Sequence, residues 1–245
     1  MRVIFSRKGF DSTAGGVPSP IIDGKPVSLP IPAHDRSHTR HRDLGLARLV
    51  KSVTRGKLDG KSLCHDDPMF ADGDCWFGQS AAAQGHLAKN GVGIGDVFLF
   101  FGLFAEEETG EPHHRVFGYM QVLASGSPEE VRQQAAWQEP PRPHPHLCGK
   151  WDRNNALYFG PGRTASSAPP SLRLTRPDGP LNRWIVPSWM EQFGLTYHGK
   201  PERWAAPGEL DSVKRGQEFI CDIGDAQEPR AWLDRIIGEI DGRAR

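Results

Sequence analysis

Residues 91–122 read GVGIGDVFLFFGLFAEEETGEPHHRVFGYMQV and hold the two most apolar neighbouring segments of the chain. VFLFF, at 97–101, is an unbroken apolar run that continues past Gly102 to Leu103 and Phe104. A run of this length between turn signals suits a strand buried on both faces. Glycines and Asp96 bound it on one side, and an acidic, glycine-containing loop at 105–114 bounds it on the other. At 115–122 the chain re-enters a strand, with successive residues pointing to opposite faces. That places Val116, Gly118, Met120 and Val122 on one face and Arg115, Phe117, Tyr119 and Gln121 on the other. Two such runs joined by a polar loop predict a long antiparallel hairpin. The expected fold is α+β: strands 97–104 and 115–122 paired at the centre of a mostly antiparallel sheet or partly open barrel, flanked by helices.

The remaining segments fit around that hairpin. RVIFS at 2–6 is a short strand, tied into the sheet because it starts so early. Residues 44–53 make a tolerable amphipathic helix, and the alanine-rich segment 77–89 reads as helix stopping at Asn90-Gly91. Ser127-Pro128-Glu129-Glu130 is a helix start with a capping box, the helix running to about Trp137. EPPRPHPH at 139–146 is extended and marks a boundary between two lobes, about 1–138 and 147–245, of a single 1–245 domain. A last strand at 218–223 and an amphipathic helix at 228–240 close the chain.

With 245 residues and zero formal net charge, the chain lacks the global basic excess of a non-specific nucleic-acid binder. A local patch or a small nucleotide remains compatible with it. The 28 glycines and 21 prolines make a fifth of the chain without any short repeat, which excludes collagen-like and solenoid architectures. Cys64, Cys75, Cys148 and Cys221 are widely spaced with no CxxC pair, and no signal peptide opens the chain. Reduced thiols in a soluble, cytoplasmic protein are expected, with no structural zinc and no membrane partner.

Several segments carry candidate chemistry. RKGFDSTAGGVPSP at 7–20 runs from a strand into a loop rich in glycine and hydroxyls, with two adjacent cations. Arg7, Lys8, Ser6, Ser12, Gly15 and Gly16 are the candidate phosphate-binding residues, because backbone N–H groups and cations converge in such loops. The segment is neither a P-loop nor G-x-G-x-x-G, and a solvated surface loop is the alternative. In SLCHDDPMF, His65 stands beside Asp66 and Asp67, with a proline that holds Asp67 extended. This cluster can bind a metal or do general acid–base work through His65 and Asp66, with Asp11 as a further carboxylate; a polar turn is the alternative. HDRSHTRHR at 34–42 offers phosphate contacts or a mobile polar loop. His144, His146 and Cys148 alternate, which on an extended strand places all three on one face; a polar cleft wall is favoured over a metal. Asn154 and Asn155 can pair with base edges or form a turn, and Trp189 can stack on a base or belong to the core.

The hairpin itself resembles the "GD…G…V" hairpin of PUA-like barrels, whose ASCH, EVE and YTH members bind RNA or modified bases. A longer resemblance runs nearly end to end. FSRKGFDS-x-x-GG-x-PSPI at 5–21 is similar to the opening of the nucleotide modification associated domain family, the third of that name. LPIP at 29–32, CHDDP at 64–68, FGQSAAAQGHL at 77–87, NALY at 155–158, IVPSW at 185–189, LTYH at 195–198 and RGQEFICD at 215–222 fit in order. The resemblance implies association with DNA or nucleotide modification systems of phages and bacteria, and partners that are nucleotides, nucleic acid or other proteins of such systems. It names no reaction and no cofactor. Three functional readings follow: an enzyme that modifies a nucleotide or nucleobase, a non-catalytic PUA-like module that binds modified bases, and a structural partner within a modification complex. Convergence of Arg7, Lys8, Asp11 and His65 on one cleft would favour the enzyme.

Overall fold

The hairpin is the spine of the molecule because both faces of its first strand are apolar. The computed structural model describes residues 1–106, 108–214 and 216–243. Glu107 in the hairpin loop and Arg215 at the head of RGQEFICD lie outside the described residues. In chain order the elements are β1 (Arg2–Arg7), β2 (Ser19–Ile22), β3 (Lys25–Pro26), α1 (Ala47–Val53), β4 (Met69–Ala71), β5 (Asp74–Gln79) and α2 (Ala81–Lys89). Then come β6 (Val97–Glu106), β7 (Pro112–Gln121), β8 (Ala124–Gly126), α3 (Pro128–Val131), β9 (Ala156–Thr164) and β10 (Arg183–Ile185). The chain closes with α4 (Trp189–Phe193), β11 (Trp204–Ala206), β12 (Glu209–Asp211), β13 (Glu218–Asp222) and α5 (Gln227–Ile240).

The main sheet runs β13–β1–β6–β7–β9–β5–β4, with β2 and β3 added beside β6 and β8 beside β9. Its pairings are antiparallel except for β1 and β2 against β6. A second, three-stranded sheet runs β10–β12–β11. The fold is therefore α+β with a mixed, mostly antiparallel sheet. That sheet stays open, with β13 and β4 at its two ends, so the barrel closure of a PUA-like core is not formed.

Alternation along β6 divides the core. Val97, Leu99 and Phe101 pack with Trp184, Leu210 and the Leu233, Ile236 and Ile240 stripe of α5. Phe98, Phe100 and Phe104 pack on the other face with Phe77, Leu87 and Tyr158. Phe101 meets Trp184 edge-on at 5.0 Å and Phe77 meets Phe98 at 5.0 Å, a geometry favoured by the ring quadrupoles. The expected alternation on the return strand does not survive. Phe100 pairs with Gly118 but Phe101 pairs with Val116, so Phe117 is an extra, bulged residue. Val116 thereby joins Tyr119 on one face, while Phe117 joins Met120 and Val122 on the other.

Two helix expectations also need correcting. Residues 77–79 belong to β5, because Phe77 pairs with Tyr158 on β9 and is fully buried; α2 starts only at Ala81. The capping box at Ser127 and Glu130 forms, but α3 ends at Val131 and the chain continues as turns. The end of β1, the end of β5 and the residues before β13 are carried to one side of the sheet, where the candidate site lies.

Candidate functional site

β1 delivers Arg7 and Lys8 into a pocket of about 570 Å³. Asp11, Ile31–Arg36, His65, Asp67, Gly78, Gln79, His146, Trp151, Lys214 and Gln217 complete its walls. Segments far apart in sequence are thus gathered by the sheet, and Arg7, Lys8, Asp11 and His65 line one cleft.

The polar floor is built around Asp67. Its carboxyl is 3% exposed, and Oδ1 accepts from the Gly78 N–H at 2.9 Å and lies 3.3 Å from His144 Nε2. His144 Nδ1 accepts from the His146 N–H at 3.2 Å, which leaves the proton on Nε2 to face Asp67. Oδ2 faces His65 Nε2 at 3.5 Å and His146 Nε2 at 3.9 Å. The other nitrogen of His146, Nδ1, meets Asn155 Oδ1 at 2.6 Å, while Asn155 Nδ2 donates to the His146 carbonyl at 2.9 Å. Trp151 stacks on the His146 ring at 3.9 Å and 16°. Burial pushes the Asp67 carboxyl up, but the imidazoles of His144, His65 and His146 gathered around it outweigh that, holding Asp67 well below the usual carboxylate range. Burial lowers His146 to about 3, against the opposing pull of Asp67 and Asn155. At neutral pH the floor therefore holds an ionised carboxylate beside a neutral imidazole.

Above the floor, Lys8 Nζ lies 3.1 Å from Glu218 Oε1 and 4.4 Å from the centre of the Phe77 ring. Gln79 Nε2 donates to the same Glu218 oxygen at 2.7 Å. Arg7 donates to the carbonyls of Lys214 and Val213 at 3.1 and 3.4 Å, and its guanidinium lies 5.6 Å from the Phe101 ring. Burial lowers Arg7, with Asp11 pulling the other way. Both cations therefore reach the pocket wall already engaged. Among the described residues, Arg36 and Lys214 are the exposed cations at the rim, Arg36 lying over the Trp151 ring at 4.5 Å.

The other candidates divide. Asp11 lines the pocket, but its Oδ1 accepts from the N–H groups of Thr13 and Ala14, both at 2.7 Å, as a turn former does. Asp66 points elsewhere and pairs with Arg142 at 2.9 Å; its neighbour Asp67 takes the place expected of it. Ser6 is fully buried, and Ser12 lines a different cavity. Gly15 and Gly16 are left-handed, and a Cβ on Gly15 would meet the Phe10 ring at 2.4 Å, so they shape the loop rather than the pocket. Asn154 exchanges hydrogen bonds with the Ala81 backbone at 2.9 and 2.7 Å, while Asn155 reaches the site through His146. Trp189 lines a separate cavity of about 610 Å³ and meets Trp232 edge-on at 5.6 Å. His144 caps and His146 lies within a single 3₁₀ turn at Pro145–Leu147, and both converge on Asp67; Cys148, the residue after the turn, does not join them. Trp151 and Lys214 are the site residues to which pattern reading assigned no role, whereas Arg36 lies in the HDRSHTRHR segment and Asp67 in the CHDDP cluster.

A family model described as nucleotide modification associated domain 3 matches residues 2–222. Neither a curated protein nor a solved structure matches the chain.

Proposed function

The chain belongs to the nucleotide modification associated domain 3 family, and from that premise we propose that it is an enzyme modifying a nucleotide or nucleobase held in the pocket above. Family membership carries association with nucleotide modification; the catalytic role is our reading. The observation that supports it is the assembly of rim cations, an indole and an ionised Asp67 among three histidines around one cleft. Arg36 and Lys214 are the phosphate anchors in this reading, since they stand exposed at the rim. Asp67 and His146 form the reactive end, with His65 as the member closest to solvent. An open sheet without barrel closure gives the base-reading module no comparable support.

Calorimetric titration with nucleoside monophosphates and short single-stranded DNA tests this. A charge-assisted contact contributes roughly 1.5–3 kcal/mol, about ten- to hundredfold in affinity. Arg36→Ala/Lys214→Ala should weaken binding at least tenfold at an unchanged Tm, whereas His65→Ala should lose turnover with the fold intact, read by mass spectrometry of the nucleotide. Unchanged affinity in the folded double variant would remove these cations from the proposal.

A further inference from the structure

We propose that His65, Asp67 and His146 hold a divalent transition-metal ion at the floor of the pocket. The inference rests on the nucleotide reading only for what fills the ion's remaining positions. One ligand atom from each of the three residues lies within 4.8 Å of the other two. The spacings to Asp67 Oδ2, 3.5 Å from His65 Nε2 and 3.9 Å from His146 Nε2, are too long for charge-assisted hydrogen bonds of about 2.7–2.9 Å. They approach the edge of a coordination polyhedron: metal–ligand bonds of about 2.1 Å set neighbouring donors roughly 3.0–3.4 Å apart. His65, the most exposed of the three, is the arm that closes the remaining distance.

The surroundings have the form of a shell built to orient ligands. The Gly78 N–H donates to Asp67 Oδ1, with the buried His144 Nε2 3.3 Å away, and Oδ2 faces the other two imidazoles. Asn155 engages Nδ1 of His146 and so presents its Nε2, and Trp151 holds the ring's plane. Partners of this kind fix ring orientation and ligand basicity at metal sites. Two imidazoles and one carboxylate suit zinc, iron, cobalt or manganese, whereas magnesium and calcium take oxygen ligands. Three protein ligands leave positions open, and all three residues line the pocket, so those positions face the cleft. None of the four cysteines takes part, so their dispersed spacing speaks only against a structural zinc of the cysteine type.

The test uses the full chain, treated with chelator and titrated with cobalt(II) alone under anaerobic conditions, then with zinc(II) in competition. One equivalent per chain should bind with visible d–d bands and be displaced by zinc, while millimolar magnesium leaves the bands unchanged. His65→Ala should weaken cobalt binding at least a hundredfold with its near-ultraviolet circular dichroism intact, and Asn155→Ala should weaken it about 10–100-fold. Arg36→Ala/Lys214→Ala should bind cobalt normally, so a failed nucleotide reading leaves this result standing. Absence of one-equivalent cobalt or zinc binding by the wild-type chain would overturn the proposal. So would unchanged binding in a folded His65→Ala variant.

Discussion

A lysine whose ammonium lies 3.1 Å from a carboxylate that is 1% exposed cannot be exchanged alone. Lys8→Met would leave the Glu218 carboxylate buried with only Gln79 beside it, and breaking one side of a buried pair typically removes about 3–5 kcal/mol. We expect Lys8→Met to lose stability of that order in urea unfolding at neutral pH, and Glu218→Gln in the same chain to recover most of it. A single variant as stable as the parent would show that the contact contributes little. The pair also shows what was legible at this scale. Arg7 and Lys8 were readable as pocket residues because they follow a buried strand directly. That their charges are already engaged was not readable, because Glu218 lies 210 residues away. Asp66 and Asp67 pose the same difficulty: adjacent carboxylates are interchangeable in pattern, and only the fold sends one to Arg142 and the other to the histidines.

β5 controls the site through a residue without a side chain. A Cβ on Gly78 would lie 2.2 Å from His146 Cγ, and the Gly78 N–H holds Asp67 Oδ1 at 2.9 Å, so this strand must approach the His146 ring closely. Gly78→Ala should cost about 1–3 kcal/mol by overpacking and shift the His146 imidazole resonances. Gly85→Ala in α2 is the control: its Cβ would meet nothing closer than 3.9 Å, and helix propensity predicts a gain of about 0.5–1 kcal/mol. Equal stabilities for the two variants would refute the close-approach argument. The hairpin was legible because an apolar run bounded by glycines admits few alternatives. β5 was not, since FGQSAAAQGHL carries helix formers up to its start and only pairing with β9 holds Phe77 extended. The bulge at Phe117 escaped too, because an inserted residue changes no composition; it appears only when two strands are laid side by side.

At the scale of the molecule, His113 and His114 on β7 and His198 at the end of a turn are fully or partly buried outside the pocket floor, each in a neutral hydrogen-bonding role. His113 Nε2 accepts from Arg115 at 3.3 Å, His114 Nδ1 accepts from the Trp184 indole at 3.1 Å, and His198 Nε2 accepts from the Val213 N–H at 3.1 Å. Protonating any of them removes that acceptor. Burial lowers them to about 4, about 3 and about 4, and the cations facing them push the same way: Arg115 and Arg173 at His113, Arg7 at His114, Arg203 and Arg7 at His198. An unfolded histidine titrates near 6.5, so between that pH and about 4 the unfolded chain binds more protons than the folded one. Their stabilising effect is therefore complete above pH 6.5 and is lost as the pH falls toward the folded values, at up to about 1.4 kcal/mol per pH unit for each group. Depression of Asp67 acts in the same direction at still lower pH. Urea unfolding should accordingly show a steep fall in stability from pH 7 to pH 5, with net proton uptake on unfolding in calorimetry across buffers of different ionisation enthalpy. A flat profile over that interval would mean that these histidines are hydrated and charged in the native state, contrary to the acceptor role their partners assign them.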